Sequence, residues 1–142
     1  MRLGCAYPMG PFELLDYGFA RDRHAGYCYV HEIGGSDAAS FAVADAHYAK
    51  DRHRAYYCAW ETDGGARPAY AKIVPVADGR VASFRALEQG YAVDERTVYY
   101  RGDVLQDADA ATFTVLGAPD NGADARDARN RYGMGKRMAA AP

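Results

Sequence analysis

A short pattern recurs along this chain: an aromatic residue, alanine, any residue, aspartate, and a tyrosine five positions after the aspartate. Complete copies begin at Phe19, Tyr48 and Tyr91, and their aspartates are Asp22, Asp51 and Asp94. A fourth copy centres on Asp127 and ends at Tyr132, but it has lost its leading aromatic. Self-similarity at a spacing of roughly 20 to 50 residues is typical of repeat proteins, whose terminal copies are commonly atypical. The pattern therefore predicts a fold built from consecutive repeats.

A second element lies between these copies. Phe41, Phe84 and Phe113 each end a short segment of alanine with serine or threonine. Asp109 suits a helix N-cap, and Phe113 and Leu116, three residues apart, are predicted to lie on one side of a single helical turn that covers a hairpin. Each repeat is thus interpreted as strand, turn, strand and short helical turn.

These elements predict a mainly β fold (β-rich α+β). We expect four consecutive β-hairpin repeats with short helical or 3-10 turns, after an N-terminal capping segment at residues 1–18. The expected units are approximately 19–47, 48–90, 91–122 and 123–138, within a single domain of residues 1–142.

The repeated positions have predictable roles. Side chains alternate along a strand, so the leading aromatic is expected to face the core and the alanine and aspartate to face the other side. Each aspartate precedes a polar stretch, where its carboxylate can accept backbone N–H bonds and hold a tight turn. We interpret the following residues as structural: Phe19, Asp22, Phe41, Tyr48, Asp51, Phe84, Tyr91, Asp94, Phe113 and Asp127.

Composition and charge exclude several classes. The 13% aromatic content and net charge of -2 argue against disorder, and the scarcity of large aliphatic residues argues against a leucine-rich bundle or a doubly wound parallel sheet. A stretch of about 18 apolar residues, as a membrane-spanning helix needs, is missing, so no membrane association is expected. The basic cluster of Arg126, Arg129, Arg131, Lys136 and Arg137 is diluted by aspartates and is interpreted as a solvated chain end, without nucleic acid as a partner.

The three cysteines are an odd number without the spacing of a disulfide scaffold. We expect reduced thiols, with one bridge between Cys28 and Cys58 if the protein is exported. No apolar leader precedes Cys5, so we expect a cytoplasmic protein, or a periplasmic or surface protein if a signal segment has been removed.

Histidines and cysteines leave a catalytic or metal-binding alternative open. Cys28 and His31, and likewise His53 and Cys58, have ligand-like spacing, and Cys58 with His31 could form a nucleophilic pair. However, His24 and His53 both follow a repeat aspartate by two residues, which favours exposed turn positions. We therefore predict no catalytic residues, no metal and no cofactor.

The second repeat is about a dozen residues longer than the others, and the extra residues lie near Gly64 and Gly65. Gly-Gly and Arg-Pro pairs indicate a surface loop, and insertions in repeat arrays tend to lie on one, often binding, face. The residues predicted to contact a partner lie here and in acidic turns of the third repeat: Trp60, Glu61, Asp63, Arg67, Tyr70, Asp103 and Asp107.

The motifs of the third copy resemble the DKNYY repeat family of bacterial proteins. They run from Tyr91 to Leu116 and include Val-Tyr-Tyr-x-Gly and Asp-x-x-Thr-Phe-x-Val-Leu, and the resemblance extends over about 19–132. The family's Asp-Lys-Asn turn is Asp94-Glu95-Arg96 here. The resemblance implies no agreed catalytic residues. Many members resemble exported or lipid-anchored proteins, and others occur beside secreted toxins in the manner of immunity proteins.

The sequence thus favours a non-catalytic, protein-binding repeat domain: a small immunity protein that neutralises a cognate bacterial toxin by direct binding. Two alternatives remain at this point, a His/Cys-based hydrolase or zinc protein and a cell-envelope structural repeat protein.

Overall fold

The structure, a computed structural model, describes residues 13–29, 31–62 and 70–138. It is mainly β, as predicted, and contains four antiparallel sheets of four strands each, connected in chain order. The first sheet comprises β1 (Glu13–Leu14), β2 (Phe19–Arg21), β3 (Gly26–Cys28) and β4 (His31–Ile33). The second comprises β5 (Ala42–Val43), β6 (Tyr48–Lys50), β7 (Ala55–Glu61) and β8 (Tyr70–Val76).

The other two sheets follow the same plan. The third comprises β9 (Arg85–Ala86), β10 (Tyr91–Val93), β11 (Val98–Tyr100) and β12 (Asp103–Val104). The fourth comprises β13 (Thr114–Asp120), β14 (Ala123–Arg126), β15 (Arg131–Gly133) and β16 (Lys136–Arg137). Short 3-10 turns lie at Asp16–Gly18, Ala38–Ser40 and Val81–Ser83.

Each repeat is a four-stranded meander, which extends the predicted hairpin by one strand on either side. The leading aromatic opens the second strand of the first three sheets, so β5 belongs to the second sheet although the sequence placed it within the 19–47 unit. Of the predicted capping segment, residues 1–12 lie outside the described residues, and the remainder supplies β1 and the first 3-10 turn.

The chain divides into two compact units, Met1–Val81 and Ala82–Pro142. The first compact unit contains the first and second sheets and a core that includes Phe19, Phe41 and Tyr56. The second compact unit contains the third and fourth sheets and a core that includes Tyr91, Phe113 and Tyr132. Each unit therefore buries its own apolar cluster.

The repeated aspartate holds a tight turn, as predicted. Oδ1 of Asp51 accepts the backbone N–H groups of His53 (2.8 Å) and Arg54 (3.0 Å), while Oδ2 accepts the hydroxyl of Tyr56 (2.7 Å). The same three bonds recur at Asp22, Asp94 and Asp127, each with the tyrosine five residues on. This hydrogen bond between the two side chains explains the fixed interval between aspartate and tyrosine.

The alanine of the pattern has a steric role. It lies directly opposite the tyrosine in all four sheets, for example Ala49 opposite Tyr56 and Ala92 opposite Tyr99. Directly opposed Cβ atoms are only about 5 Å apart, so a small residue leaves room for the ring to lean toward the aspartate. The alanine and aspartate face is accordingly buried as well: Tyr91, Ala92, Val93 and Asp94 are all inaccessible.

These hydrogen bonds change the acidity of both partners. Burial alone raises the pKa of the Asp51 carboxyl, but the groups that donate to it outweigh burial and hold the pKa below its ordinary value. Burial and the bond to Asp51 raise the pKa of Tyr56 to about 12. In the fourth sheet the pKa of Asp127 falls to about 2, since its hydrogen bonds outweigh desolvation, and the pKa of Tyr132 rises to about 12.

The phenylalanine elements join neighbouring sheets within each compact unit. Phe41 packs between Phe19 of the first sheet and Tyr56 of the second, with ring centroids 6.2 Å from each. Phe113 packs likewise on Tyr91 (5.2 Å) and Tyr132 (5.5 Å). Gly26 is required beneath Phe41, because an added Cβ would overlap the ring. Phe84 is also buried and lies against Tyr99 (6.5 Å).

The prediction of a helical turn after Asp109 was wrong. Residues 110–112 form a hydrogen-bonded turn, and Leu116 lies in β13. The Asp109 N–H donates to Oδ2 of Asp127 (2.8 Å), and the Thr112 hydroxyl donates to Asp109. The segment is thus tied to the aspartate of the following copy, as Asp37 is tied to Asp51 (2.8 Å).

Among the described residues, no helix is long and apolar enough to cross a membrane.

Candidate functional site

The extra residues of the second repeat lengthen a hairpin. β7 and β8 pair over seven positions, from Ala55 opposite Val76 to Glu61 opposite Tyr70. Part of the insertion is therefore strand, where the sequence predicted only a surface loop. Residues 63–69, with the predicted contact residues Asp63 and Arg67, lie outside the described residues.

Alternation along β7 separates its side chains into two faces. Tyr56, Cys58 and Trp60 share one face, and Tyr57, Ala59 and Glu61 share the other. On the first face, Tyr56 packs on Phe41 and Cys58 is bonded to Cys28, so this face meets the first sheet. Trp60 continues the same row toward the end of the hairpin.

Trp60 is 50% exposed and stacks on the ring of Tyr29, with centroids 5.4 Å apart and an interplanar angle of 30°. The ring of His31 meets Trp60 edge-on at 6.4 Å. Tyr29, His31 and Trp60 together form what we name the Trp60 surface. Tryptophan and tyrosine are both enriched at protein interfaces.

The support beneath the Trp60 surface is covalent. Cys28 and Cys58 form a disulfide with their Cα atoms 6.6 Å apart. The structure has the Cys28–Cys58 bridge that the sequence left as the alternative to reduced thiols, because the two cysteines occupy facing positions of adjacent sheets. Tyr29 follows Cys28 directly, and its N–H donates to the carbonyl of Gly18 (3.0 Å). The bridge therefore restrains β7, which carries Trp60, and the end of β3, which Tyr29 follows.

Tyr70 and Glu61 lie on the opposite face of the hairpin from Trp60. They are directly paired across the strands, and the hydroxyl of Tyr57 donates to Oε2 of Glu61 (2.8 Å). Lys72 Nζ lies 5.6 Å from the centre of the Tyr57 ring. The residues that the sequence grouped around Trp60 are thus divided between two faces.

The remaining predicted contact residues lie in the second compact unit. Asp103 is exposed in β12, and Asp107 is exposed in the following turn, where its φ is 64°. Sequence reasoning missed Tyr29 as part of a site, and it considered His31 only as a metal ligand or a catalytic base. Tyr29 and His31 follow Cys28 by one and three residues, so a bridge to Cys58 would have placed them near Trp60.

The bridge also bears on the zinc and hydrolase alternative. The sulfurs of Cys28 and Cys58 are bonded to each other, so in this form neither is available as a thiolate ligand or nucleophile. His24 lies 3.6 Å from a carboxylate oxygen of Glu32 at the surface. In the described part of the chain, no three His, Cys, Asp or Glu side chains gather as a metal site requires.

Comparison with known proteins agrees with the repeat pattern. No curated protein and no solved structure matches the chain. The model of the DKNYY family matches residues 67–135, which include the whole third copy and the fourth copy through Tyr132. The first two copies repeat the same bonds between aspartate and tyrosine. The match confirms, over residues 67–135, the resemblance to the DKNYY family that the third copy indicated.

Proposed function

We propose that this chain is a non-catalytic protein-binding domain whose partner docks on the Trp60 surface. The observation that carries the proposal is the half-exposed indole of Trp60 stacked on Tyr29. Tryptophan and tyrosine are enriched among the few residues that dominate binding energy at protein interfaces. Their rings bury a large area and have few torsions to restrain.

Rigidity favours the same use of this surface. Binding costs free energy for every side chain and loop that must be ordered. The Cys28–Cys58 bridge and the paired strands of the β7–β8 hairpin restrain the backbone beneath the rings before any partner arrives. A partner that covers Trp60 therefore meets a largely preorganised surface.

The partner that we propose is a bacterial toxin, neutralised by stoichiometric binding. The DKNYY family provides the motivation, since some members resemble immunity proteins, and a binding surface without added chemistry is sufficient to cover a toxin. In this proposal the chain is not an enzyme and needs no cofactor.

A photocrosslinking experiment tests the docking surface. The crosslinking amino acid p-benzoylphenylalanine replaces Trp60 in one variant and Met134, which is 70% exposed in the second compact unit, in the other. We expect one dominant adduct, a toxin encoded beside this chain, from position 60 in the native host and none from position 134.

Binding and growth assays with the isolated pair then test the mechanism. Trp60→Ala should weaken the complex about 30-fold, the usual effect of removing a central aromatic, while Met134→Ala should change it less than twofold. Coexpression of the wild-type chain should restore growth to cells that make the toxin. Equal affinities for the two variants would remove Trp60 from the interface.

The disulfide favours a second candidate, a structural repeat protein of the cell envelope. Disulfides persist in oxidising compartments and are rare in the bacterial cytosol. Alkylation of cells without reductant, followed by mass spectrometry, gives the state of Cys28 and Cys58. A bridged pair favours a periplasmic or surface location, and reduced thiols favour the cytoplasmic location.

A further inference from the structure

A basic depression of about 570 Å³ lies within the second compact unit. It is formed where β13 bulges away from β14: Val115 pairs with Ala125, but the next pair joins Asp120 to Ala123. The depression lies between residues 116–118 and Asp120 on β13 and residues 126–131, with Met138 completing its wall. Bulges often redirect backbone and side chains at binding sites.

Three arginines line the basic depression: Arg126, Arg129 and Arg131. Arg126 and Arg131 are directly opposite each other on adjacent strands. Like charges in this position destabilise a sheet, so the arrangement has a cost that an anion between the two guanidinium groups would relieve. Arg131 is also held toward the bulge, where it donates to the carbonyl of Asp120 and lies 3.9 Å from its carboxylate, so Arg131 is partly neutralised and Arg126 is the guanidinium that an incoming carboxylate would chiefly neutralise.

The charge of the depression limits the ligand. Three arginines against Asp120 and Asp127 leave a net charge of +1 in the lining. Asp127 remains ionised at neutral pH, because the groups that donate to it outweigh burial and lower its pKa to about 2. A net charge of +1 suits one or two carboxylates, whereas a nucleic acid or a polyphosphate requires a more strongly basic surface.

Apolar groups in the wall distinguish a peptide from a small inorganic ion. Leu116 and the thioether of Met138 line the same depression as the arginines. Arginine binds carboxylates through two parallel N–H bonds, and an apolar wall gives a neighbouring aliphatic side chain a place to pack. An acidic peptide with a flanking leucine would pair its carboxylate with arginine and pack its leucine against the apolar wall.

We infer that the basic depression binds an acidic peptide segment of a protein partner, with a carboxylate held between Arg126 and Arg131. This inference rests on the proposed function, because the acidic segment belongs to the protein partner proposed there. It adds a charged contact in the second compact unit to the aromatic contact in the first.

The test is an NMR titration of the ¹⁵N-labelled chain with the peptide acetyl-Leu-Asp-Glu-Leu-amide and with its Asn-Gln counterpart. We expect the acidic peptide to shift the amide signals of residues 116–118 and 126–131 and to leave those of 26–29 and 31–33 unchanged. Arg126→Gln should weaken binding about tenfold, because a charge-assisted hydrogen bond is lost. Asp120→Asn should strengthen binding by removing a repulsive carboxylate.

The control variant is Arg137→Gln, which removes an exposed arginine of β16 outside the depression and should change affinity less than twofold. The inference is overturned if neither peptide binds at millimolar concentration, or if both bind equally. It is also overturned if inorganic phosphate or single-stranded oligothymidine displaces the acidic peptide at lower concentration. A peptide that binds while Trp60→Ala leaves partner affinity unchanged would refute the Trp60 docking surface and retain the basic depression.

Discussion

The two compact units use the same repeat but join their sheets by different bonds. In the first unit the leading positions of the pattern are Phe19 and Tyr48. The bond that links the two sheets, which we call the joint, is the Cys28–Cys58 disulfide. In the second unit the same positions are Tyr91 and Asp124, and the Tyr91 hydroxyl donates to Oδ1 of Asp124 (2.6 Å). Phe41 and Phe113 pack between the sheets of their own units in the same way.

This difference explains why the fourth copy lacks its leading aromatic. Asp124 accepts the Tyr91 hydroxyl and also the N–H of Met134 (3.1 Å), while the N–H of Gly135 donates to the Tyr91 oxygen (3.0 Å). Burial, followed by the bond to Asp124, raises the pKa of Tyr91 well above its ordinary value, so the phenol stays protonated and donates. A position that looks degenerate in the repeat is a specific joint in the structure.

The largest expected effect comes from a feature that both units share, the repeat aspartate. Asp51→Ala leaves three backbone N–H groups and the Tyr56 hydroxyl without their acceptor and should lower the free energy of unfolding by about 4 kcal/mol. Asp51 is 4% exposed whereas Asp127 is partly exposed, so Asp127→Ala should cost less because water can replace its carboxylate. Urea unfolding measures both.

The control for these substitutions is Asp16→Ala, at an exposed carboxylate of the first unit. It should stay within about 0.5 kcal/mol of the wild type. Equal losses for Asp16→Ala and Asp51→Ala would contradict the role assigned to the repeat aspartate.

The next largest effect is expected from removing the disulfide that joins the two sheets of the first unit. Cys28 and Cys58 are 30 residues apart, and closing a loop of that length is worth about 3.5 kcal/mol in the chain-entropy model. The double variant Cys28→Ala/Cys58→Ala should lose about that much in the first unit. Trp60 is the sole tryptophan, so its fluorescence follows the first unit during unfolding.

Hydrogen exchange at β14 and β15 reports on the second unit in the same double variant. We expect it to change much less than exchange at β3 and β7, because the second unit has its own core. Reductant added to the wild type should reproduce the effect, and a wild-type midpoint that is insensitive to reductant would refute the bridge as the joint.

The sequence allowed the repeat aspartates to be predicted because their bonds are local. Asp51 binds N–H groups two and three residues ahead and a tyrosine five residues ahead, all within one turn and its strands. No local sequence pattern of this kind predicts β5 or β9, because each strand is only two residues long and shows no periodicity. Leu116 and Phe113 have helical spacing, but pairing with β14 places Leu116 in a strand.

The joints and the site were harder to predict because they depend on contacts between sheets. Cys28 follows its repeat aspartate by six residues and Cys58 follows its own by seven, so the repeat register did not suggest a pair. Trp60 was proposed as a contact residue from the sequence, but its neighbours Tyr29 and His31 come from the region of another sheet. Tyr70 was assigned to the same surface because the register of β7 with β8 is not evident in the sequence.

A smaller effect is expected at the polar joint of the second unit. Tyr91→Phe removes the hydroxyl, so Oδ1 of Asp124 loses its donor and the Gly135 N–H loses its acceptor, which should cost about 2 kcal/mol. Asp124→Ala should cost a similar amount. If the hydrogen bond is the joint, the double variant Tyr91→Phe/Asp124→Ala costs less than the sum of the single variants, by about 1 kcal/mol. Strict additivity in chemical unfolding would show that the two groups do not interact.

The smallest effect is the pH dependence of the Asp127 and Tyr132 pair. The pKa of Asp127 falls to about 2, since its hydrogen bonds outweigh desolvation, so its stabilising contribution is complete above the unfolded value of 3.8 and declines as pH falls toward 2. Burial and Asp127 raise the pKa of Tyr132 to about 12, so its contribution is complete below 10.0 and is lost as pH rises toward 12. Stability of the fourth sheet should therefore be level with respect to this pair between about pH 4 and 10.

Absorbance of tyrosinate at alkaline pH checks the predicted pKa of Tyr132, and the variant Tyr132→Phe identifies which transition belongs to Tyr132. Hydrogen exchange at β14 between pH 2 and 4 checks the lower limb. Asp127→Asn cannot ionise and should flatten the acid limb while lowering stability at neutral pH. Tyr56 shows the same upward shift of its pKa, to about 12, from burial and Asp51 in the first unit. A Tyr132 that titrates near 10 while Tyr56 titrates near 12 would show that the last copy does not form the bond that the inner copies form.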